Sequence, residues 1–289
     1  MLFRSGCVLC GRGAGLRGCL GPEYHQLMSY LPRREAESTA CWPDLIDELD
    51  RWQVAGRVAG LWWRDDDAVA ATPQLDALLR LADGVPLALA AIPGLVEHTL
   101  PAALGGKSDI AVLQHGWHHT NHSERGKKSE FPGGRNSAGV SADLTAGAAR
   151  LTSLFESQFV PILVPPWNRF AGEFVPLLRP AGIAALSVMA GGPPATADSG
   201  VARADVHVDL VAWRAGRGFI GTEAALGLLV GHLRARRLGV ADPGEATGIL
   251  THHLVMDRDT AAFVHQLSAT VDAHPGGRWL SATELLSRQ

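Results

Sequence analysis

Four short apolar runs in this chain each break off into residues that carry chemistry, and that pattern narrows the folds open to it. Val58–Trp63 runs into Arg64-Asp65-Asp66-Asp67, and Ile110–Leu113 into a histidine-rich stretch that starts at His115. Val160–Val164 ends at Pro165-Pro166-Trp167-Asn168-Arg169, and Gly248–Thr251 ends at His252-His253. Runs of this length suit buried strands. Between them the apolar residues change to helical spacing: Leu45, Ile46, Leu49 and Trp52 share one face, as do Leu75, Leu78, Leu79 and Ala82. Thr72-Pro73 fits the cap and first position of the second helix. Further strands are predicted at Val85–Ile92, Ile183–Val188 and Val206–Val211. Further helices are predicted after Pro93 and at Ala142–Phe155, Phe174–Leu178, Glu223–Arg236 and Thr260–Val271. Residues 121–141 and 191–200 read as loops.

Strands that alternate with helices build parallel βαβ units. The expected fold is therefore α/β, a distorted (β/α) barrel with about seven parallel strands. An open doubly wound sheet is disfavoured because no Gly-x-Gly-x-x-Gly follows the first strand. In such barrels the site is assembled from the C-terminal strand ends, which is where the four motifs fall.

Composition narrows the function by exclusion. The formal net charge is −3, from 26 basic and 29 acidic side chains, so nothing marks a nucleic-acid surface. No apolar run approaches the ~20 residues of a membrane span. The cysteines are Cys7, Cys10, Cys19 and Cys41. Cys7 and Cys10 have the spacing of a zinc-ligand pair, but Cys19 and Cys41 do not form the second pair that a structural site needs. Residues 1–41 are expected to be a flexible N-terminal segment or to precede the true start, and 42–289 a single barrel domain. A cytoplasmic location is expected.

Three adjacent carboxylates repel one another and call for a compensating cation. Arg64 can offset one, and a metal ion would offset more. A solvated acidic turn that caps the next helix is the plainer reading. Twelve histidines in 289 residues, spread evenly, put fewer than one in any eight, yet His115, His118, His119 and His122 fall within residues 115–122. His115 and His119 are four apart, so a helical turn would bring both imidazoles to one ion. Pro165 and Pro166 hold the chain extended and aim the Trp167 N–H, as an oxyanion donor requires; a rigid turn around a packed tryptophan is the alternative. A histidine at residues 252–253 can serve as a general acid or sit in the core.

In order and spacing these pieces resemble the polysaccharide deacetylases, also called carbohydrate esterase family 4 or the NodB-homology domain, over roughly Leu61 to His253. Asp66-Asp67 with Thr72-Pro73, His115-x-x-x-His119, Pro165-Pro166-Trp167 and Leu250-Thr251-His252 match the family's motifs in turn. The resemblance implies that Asp66 is the catalytic base, that Asp67, His115 and His119 hold one divalent ion, expected to be zinc, that a third-motif backbone N–H binds the oxyanion, and that His252 protonates the leaving amine. The spacing to Thr72 also admits Asp65 as base and Asp66 as ligand, and His253 competes with His252. The arginine that the family places before the third-motif prolines is missing, Trp stands for Tyr, and Arg169 is a substitute for the lost charge. Trp167, Arg169 and His122 are expected to border the substrate, and the basic residues of the loop after His122 to meet an anionic part of it. The implied reaction is hydrolysis of a non-peptide C–N amide bond, the substrate an N-acetylated carbohydrate. A small non-sugar amide, or a silent carbohydrate- or metal-binding role on the same fold, are the alternatives.

Overall fold

The computed structural model describes residues 39–191 and 200–288. The expectations for residues 1–38, including Cys7, Cys10 and Cys19, and for most of the 191–200 loop lie outside the described residues. The elements are α1 (Trp42–Val54), β1 (Ala59–Ala68), α2 (Pro73–Leu81), β2 (Leu87–Ala91), α3 (Thr99–Leu104), β3 (Ile110–His115), α4 (Ser137–Phe155) and β4 (Phe159–Val164), followed by β5 (Ala185–Leu186), β6 (Ala202–Arg203), β7 (Val208–Asp209), α5 (Thr222–Arg237), β8 (Thr247–Thr251), α6 (Arg258–Asp272), β9 (Gly277–Trp279) and α7 (Ala282–Ser287). The caps act as their residue types dictate. Thr72 Oγ1 accepts from the Leu75 N–H at 3.0 Å, and Pro73 follows where its missing N–H costs nothing.

Every pairing between these strands is parallel, in the order β6-β5-β4-β3-β2-β1-β8-β7, with β9 also on β1. The ring closes through one extended stretch that changes partners. Ala202, Ala204 and Val206 donate to the carbonyls of Ala184, Leu186 and Val188, on the β5 side. His207 and Leu210 then donate to those of Gly248 and Leu250, in β8. The strand read as Val206–Val211 is the second half of this stretch. With β6 and β7 taken as one passage, seven strand positions circle the barrel and β9 adds a short flank.

Alternation along β1 sorts its residues into two cores. Leu61 and Trp63 pack with Leu75, Leu78, Phe263 and Val264 under the helices. Trp62 faces the other way, into a barrel interior lined by Ala88, Ala90, Ala185, Ala204 and Leu250. One large ring among alanines fills the small bore. The same alternation sends Arg64 and Asp66 into the barrel and Asp65 towards the helices.

Several boundaries differ from expectation. Helix α4 starts at Ser137 rather than Ala142, because Asn136 Oδ1 takes the Ala138 N–H (2.9 Å) and Val140 already lies on the buried face. The helices predicted after Pro93 and at Phe174–Leu178 include short 3-10 segments, Pro93–Leu95 and Gly172–Leu177. β9 and α7 went unread, although Ser281-Ala282-Thr283-Glu284 carries a capping box. No helix of the described residues is long and apolar enough to cross a membrane.

The partner change at residues 204–207 leaves no room for a side chain on β8. A Cβ on Gly248 would lie 2.5 Å from the Asp205 carbonyl oxygen and 2.7 Å from Val206 Cα. Gly248→Ala is expected to lower the unfolding free energy by about 1–3 kcal/mol in urea denaturation; an unchanged midpoint would contradict this account of the closure.

Candidate metal centre

At the C-terminal end of β1 the three carboxylates go to three different partners. Asp65, fully buried, accepts from Thr251 Oγ1 (2.6 Å) and from His253 Nδ1 (2.5 Å). Asp66 faces Arg64, two residues back on the same face, with Nε–Oδ1 at 2.9 Å and Nη2–Oδ2 at 3.0 Å. Asp67 has a φ of 75° and sits in a register shift between Asp65 and Ala68. The left-handed residue, uncommon outside glycine, takes the third carboxylate off the face that Asp65 occupies. Its Oδ1 then lies 3.1 Å from His115 Nε2 and 3.5 Å from His119 Nε2.

The two histidines do not converge through a helical turn. His115 ends β3, Gly116 has a φ of 59°, and His119 has one of 58°. Two left-handed residues fold the strand end back on itself. The loop is pinned by Glu130, 1% exposed, whose carboxylate accepts from the Trp117 and His118 N–H groups at 3.1 and 2.9 Å. A Cβ on Gly116 would collide with that carboxylate and with Pro166.

The donor set fits a divalent cation. His115 Nδ1 lies 2.9 Å from the Val164 carbonyl, which can only accept, so Nδ1 carries the proton and the lone pair is on Nε2. That nitrogen lies 3.1 Å from a carboxylate oxygen of Asp67, a contact that either a second ring proton or a cation between the two satisfies. Burial pushes the Asp67 carboxyl up, but the His115 hydrogen bond and the charges of His115, His252 and His119 outweigh it and hold the group well below the carboxylate range. Burial lowers His115, and the bond to Asp67 with the charges of Asp66 and Asp67 reverses this to a net rise. Burial and the neighbouring His115 lower His119. Two imidazoles and one carboxylate leave coordination positions open, as catalytic zinc sites do.

The other strand ends complete the wall. Pro165–Arg169 turns through Trp167 and Asn168, both left-handed (φ 57° and 55°). Asn168 and Arg169 donate back to the carbonyls of Pro165 and Pro166, which leaves the Trp167 N–H outside the turn's own bonding. The Trp167 ring stands edge-on to His119, centroids 4.4 Å apart. Arg64 also donates to Asn168 Oδ1 (2.7 Å) and Ser187 Oγ (2.6 Å). Arg64 is thus the guanidinium beside Asp66, whereas Arg169 donates to the Lys128 carbonyl (2.7 Å) and braces a loop. His122 is exposed, and its backbone N–H closes that loop on Ser129. His252 Nε2 lies 4.0 Å from Asp66 Oδ2, and its ring meets Trp213 edge-on at 4.7 Å. Trp213 Nε1 donates to Asp209 (2.7 Å), a carboxyl that burial raises against the bonds from Val211 and Trp213. Asp209 and Trp213 escaped the sequence reading; their one signal was a polar residue and an aromatic at the end of a predicted strand.

A second cluster, His207, His232 and Glu245, has the same residue types within the same 4.8 Å and the opposite hydrogen-bond logic. His207 Nδ1 accepts from the Gly248 N–H (3.0 Å), so Nε2 carries the proton and donates to Glu245 at 3.1 Å. The two rings are stacked, 3.5 Å apart and 19° from parallel, so their in-plane lone pairs do not meet at a point. This cluster holds its carboxylate with protons and has no need of an ion.

No family model matches the sequence, and no curated protein matches it. Solved structures share the fold. A Mycobacterium smegmatis protein named as a polysaccharide deacetylase superposes with a TM-score of 0.59 at 16% identity, over 86% of this chain and 92% of its own. A CE4 esterase of Streptococcus mutans gives 0.51 at 13% identity, over 86% and 93%. A peptidoglycan N-acetylglucosamine deacetylase gives 0.50 at 13%, over 79% and 88%. The barrel fold is shared with these solved structures.

Titration of the metal-free protein with zinc is expected to saturate at one equivalent per chain. His119→Ala is expected to abolish this binding, and a His207→Ala, His232→Ala pair to keep it. A second tight equivalent, lost in that pair, would contradict the assignment of the second cluster.

Proposed function

We propose that this chain is a metal-dependent hydrolase of a non-peptide C–N amide bond, and that it removes an acetyl group from an N-acetylated carbohydrate. One observation supports the reading most: a carboxylate held for proton transfer, a two-histidine, one-carboxylate ligand set and a further imidazole meet at one end of the barrel. Asp67, His115 and His119 would hold the ion, zinc being the first expectation for this donor set. When bound, the ion supplies Lewis acidity, which polarises the amide carbonyl and acidifies a water.

Each remaining residue has a task set by its neighbours. Asp66 receives the proton of the attacking water, and the ion pair with Arg64, whose Nη2 donates to Oδ2, holds it in place. His252, within 4.0 Å of Asp66, delivers a proton to the departing amine; these two transfers are general base and general acid steps. The Trp167 N–H is positioned to donate to the carbonyl oxygen as it gains charge. Trp167 also flanks the ligand set, and Trp213, 45% exposed, flanks His252. Two tryptophans at the mouth favour a sugar ring, whose C–H faces pack on indole. His122 belongs to the loop that borders this mouth and Arg169 braces it, and Arg125, Lys127 and Lys128 on that loop are available to an anionic part of the substrate. A role in binding alone would not call for Asp66 and His252 beside the ligands.

The test is acetate release from N-acetylglucosamine oligosaccharides by zinc-loaded protein. Asp66→Asn and His252→Ala are each expected to slow turnover by roughly 10²–10⁴-fold with zinc retained, and Asp67→Asn to lose zinc as well. Release of acetate at the wild-type rate by Asp66→Asn would remove the proposed base. Release only from small non-sugar amides would move the substrate to that class.

A further inference from the structure

We propose that Asp65 and His253 form a buried clasp that positions Asp66 and His252 relative to one another. The proposal rests on the reading of Asp66 and His252 as the proton carriers. Neither clasp residue faces the ligand set. Asp65 is fully buried and His253 is 3% exposed, on the helix side of the barrel wall.

The hydrogen bonds of the clasp have one direction. A carboxylate only accepts, so His253 Nδ1 donates to Asp65 Oδ1 and Thr251 Oγ1 donates to Oδ2. The Thr251 hydroxyl has then spent its proton, and Trp63 Nε1 donates to its lone pair at 2.8 Å. The network thus joins Trp63 and Asp65 of β1 to Thr251 and His253 at the end of β8. Asp65 and Thr251 are register partners in that strand pair.

Each clasp residue is the chain neighbour of a proton carrier on the opposite face: Asp65 precedes Asp66, and His253 follows His252. Rigid peptide units transmit the anchoring across the wall. The extended backbone at His252, with φ −137° and ψ 101°, points its ring at Asp66 only while the next ring stays fixed. A buried ion pair is a weak source of net stability, because desolvation offsets the attraction. What it supplies here is direction. His115 and His119 lie on β3 and its loop, outside the network, so loss of the clasp should misplace the acid against the base and leave the ion in place.

The experiment compares His253→Leu, His253→Asn and Asp65→Asn in the zinc-loaded full chain. Asparagine keeps an N–H near the position of Nδ1, and leucine does not. His253→Leu and Asp65→Asn are expected to lower kcat for acetate release by roughly 10–100-fold, with KM and bound zinc unchanged, and His253→Asn to recover most of the loss. The side-chain ¹⁵N signals of His252 should move in His253→Leu and hold in His253→Asn, while those of His115 and His119 hold in both. The clasp is overturned if leucine and asparagine behave alike, or if zinc is lost in step with activity. If the wild-type protein releases no acetate, the functional reading fails and the ¹⁵N signals alone decide: an unmoved His252 in His253→Leu rejects the clasp. Should His253→Leu not fold, Thr251→Val, which removes one donor to Asp65, is held to the same readouts.

Discussion

Three carboxylates in a row cannot share one environment. Inside a protein each would raise the others' affinity for protons until the charge was lost. The architecture around β1 resolves this by giving each aspartate its own partner: His253 with Thr251 for Asp65, Arg64 for Asp66, and the His115–His119 pair for Asp67. Pleat alternation separates the first two, and a left-handed backbone at the third breaks the alternation at the point where a second carboxylate would have joined Asp65 on the helix side. The strand order serves the same end, because β1 lies between β2 and β8, so its last residues are reached from both sides.

Much of this was legible in the sequence. Apolar runs that stop at chemistry placed the site at the C-terminal strand ends, and a cluster of four histidines singled out β3. What stayed open was which aspartate does what. The answer depends on Arg64, whose reach to Asp66 follows from a shared face, and on the register of β1 with β8, which no local pattern displays. His252 and His253 were indistinguishable for the same reason: their faces are set by β8, and only its neighbours tell inside from outside. The helical turn expected between His115 and His119 was wrong because Gly116 and His119 take left-handed backbone, and the buried Glu130 that stabilises that fold-back lies fifteen residues after His115. Arg169 stood out because it follows the prolines in sequence; its guanidinium goes to the Lys128 carbonyl, and the one paired with Asp66 is that of Arg64.

The second cluster carries a wider lesson about reading ligand sets from residue types. Two histidines and a carboxylate within a few ångströms occur twice in this chain. In one, a backbone carbonyl takes the Nδ1 proton and leaves a lone pair facing a carboxylate. In the other, a backbone N–H occupies Nδ1 and places the proton between imidazole and carboxylate. The atom behind each imidazole sets where its proton sits, and so which of the two groups is the better candidate for an ion.

The most direct test of the account is X-ray absorption at the zinc edge of the loaded protein. The geometry calls for two imidazole nitrogens at about 2.0–2.1 Å and carboxylate or water oxygens at about 2.0–2.2 Å, with no sulfur scatterer. A spectrum dominated by sulfur at about 2.3 Å, or one without imidazole scattering, would place the ion elsewhere in the chain and remove the foundation of the proposed chemistry.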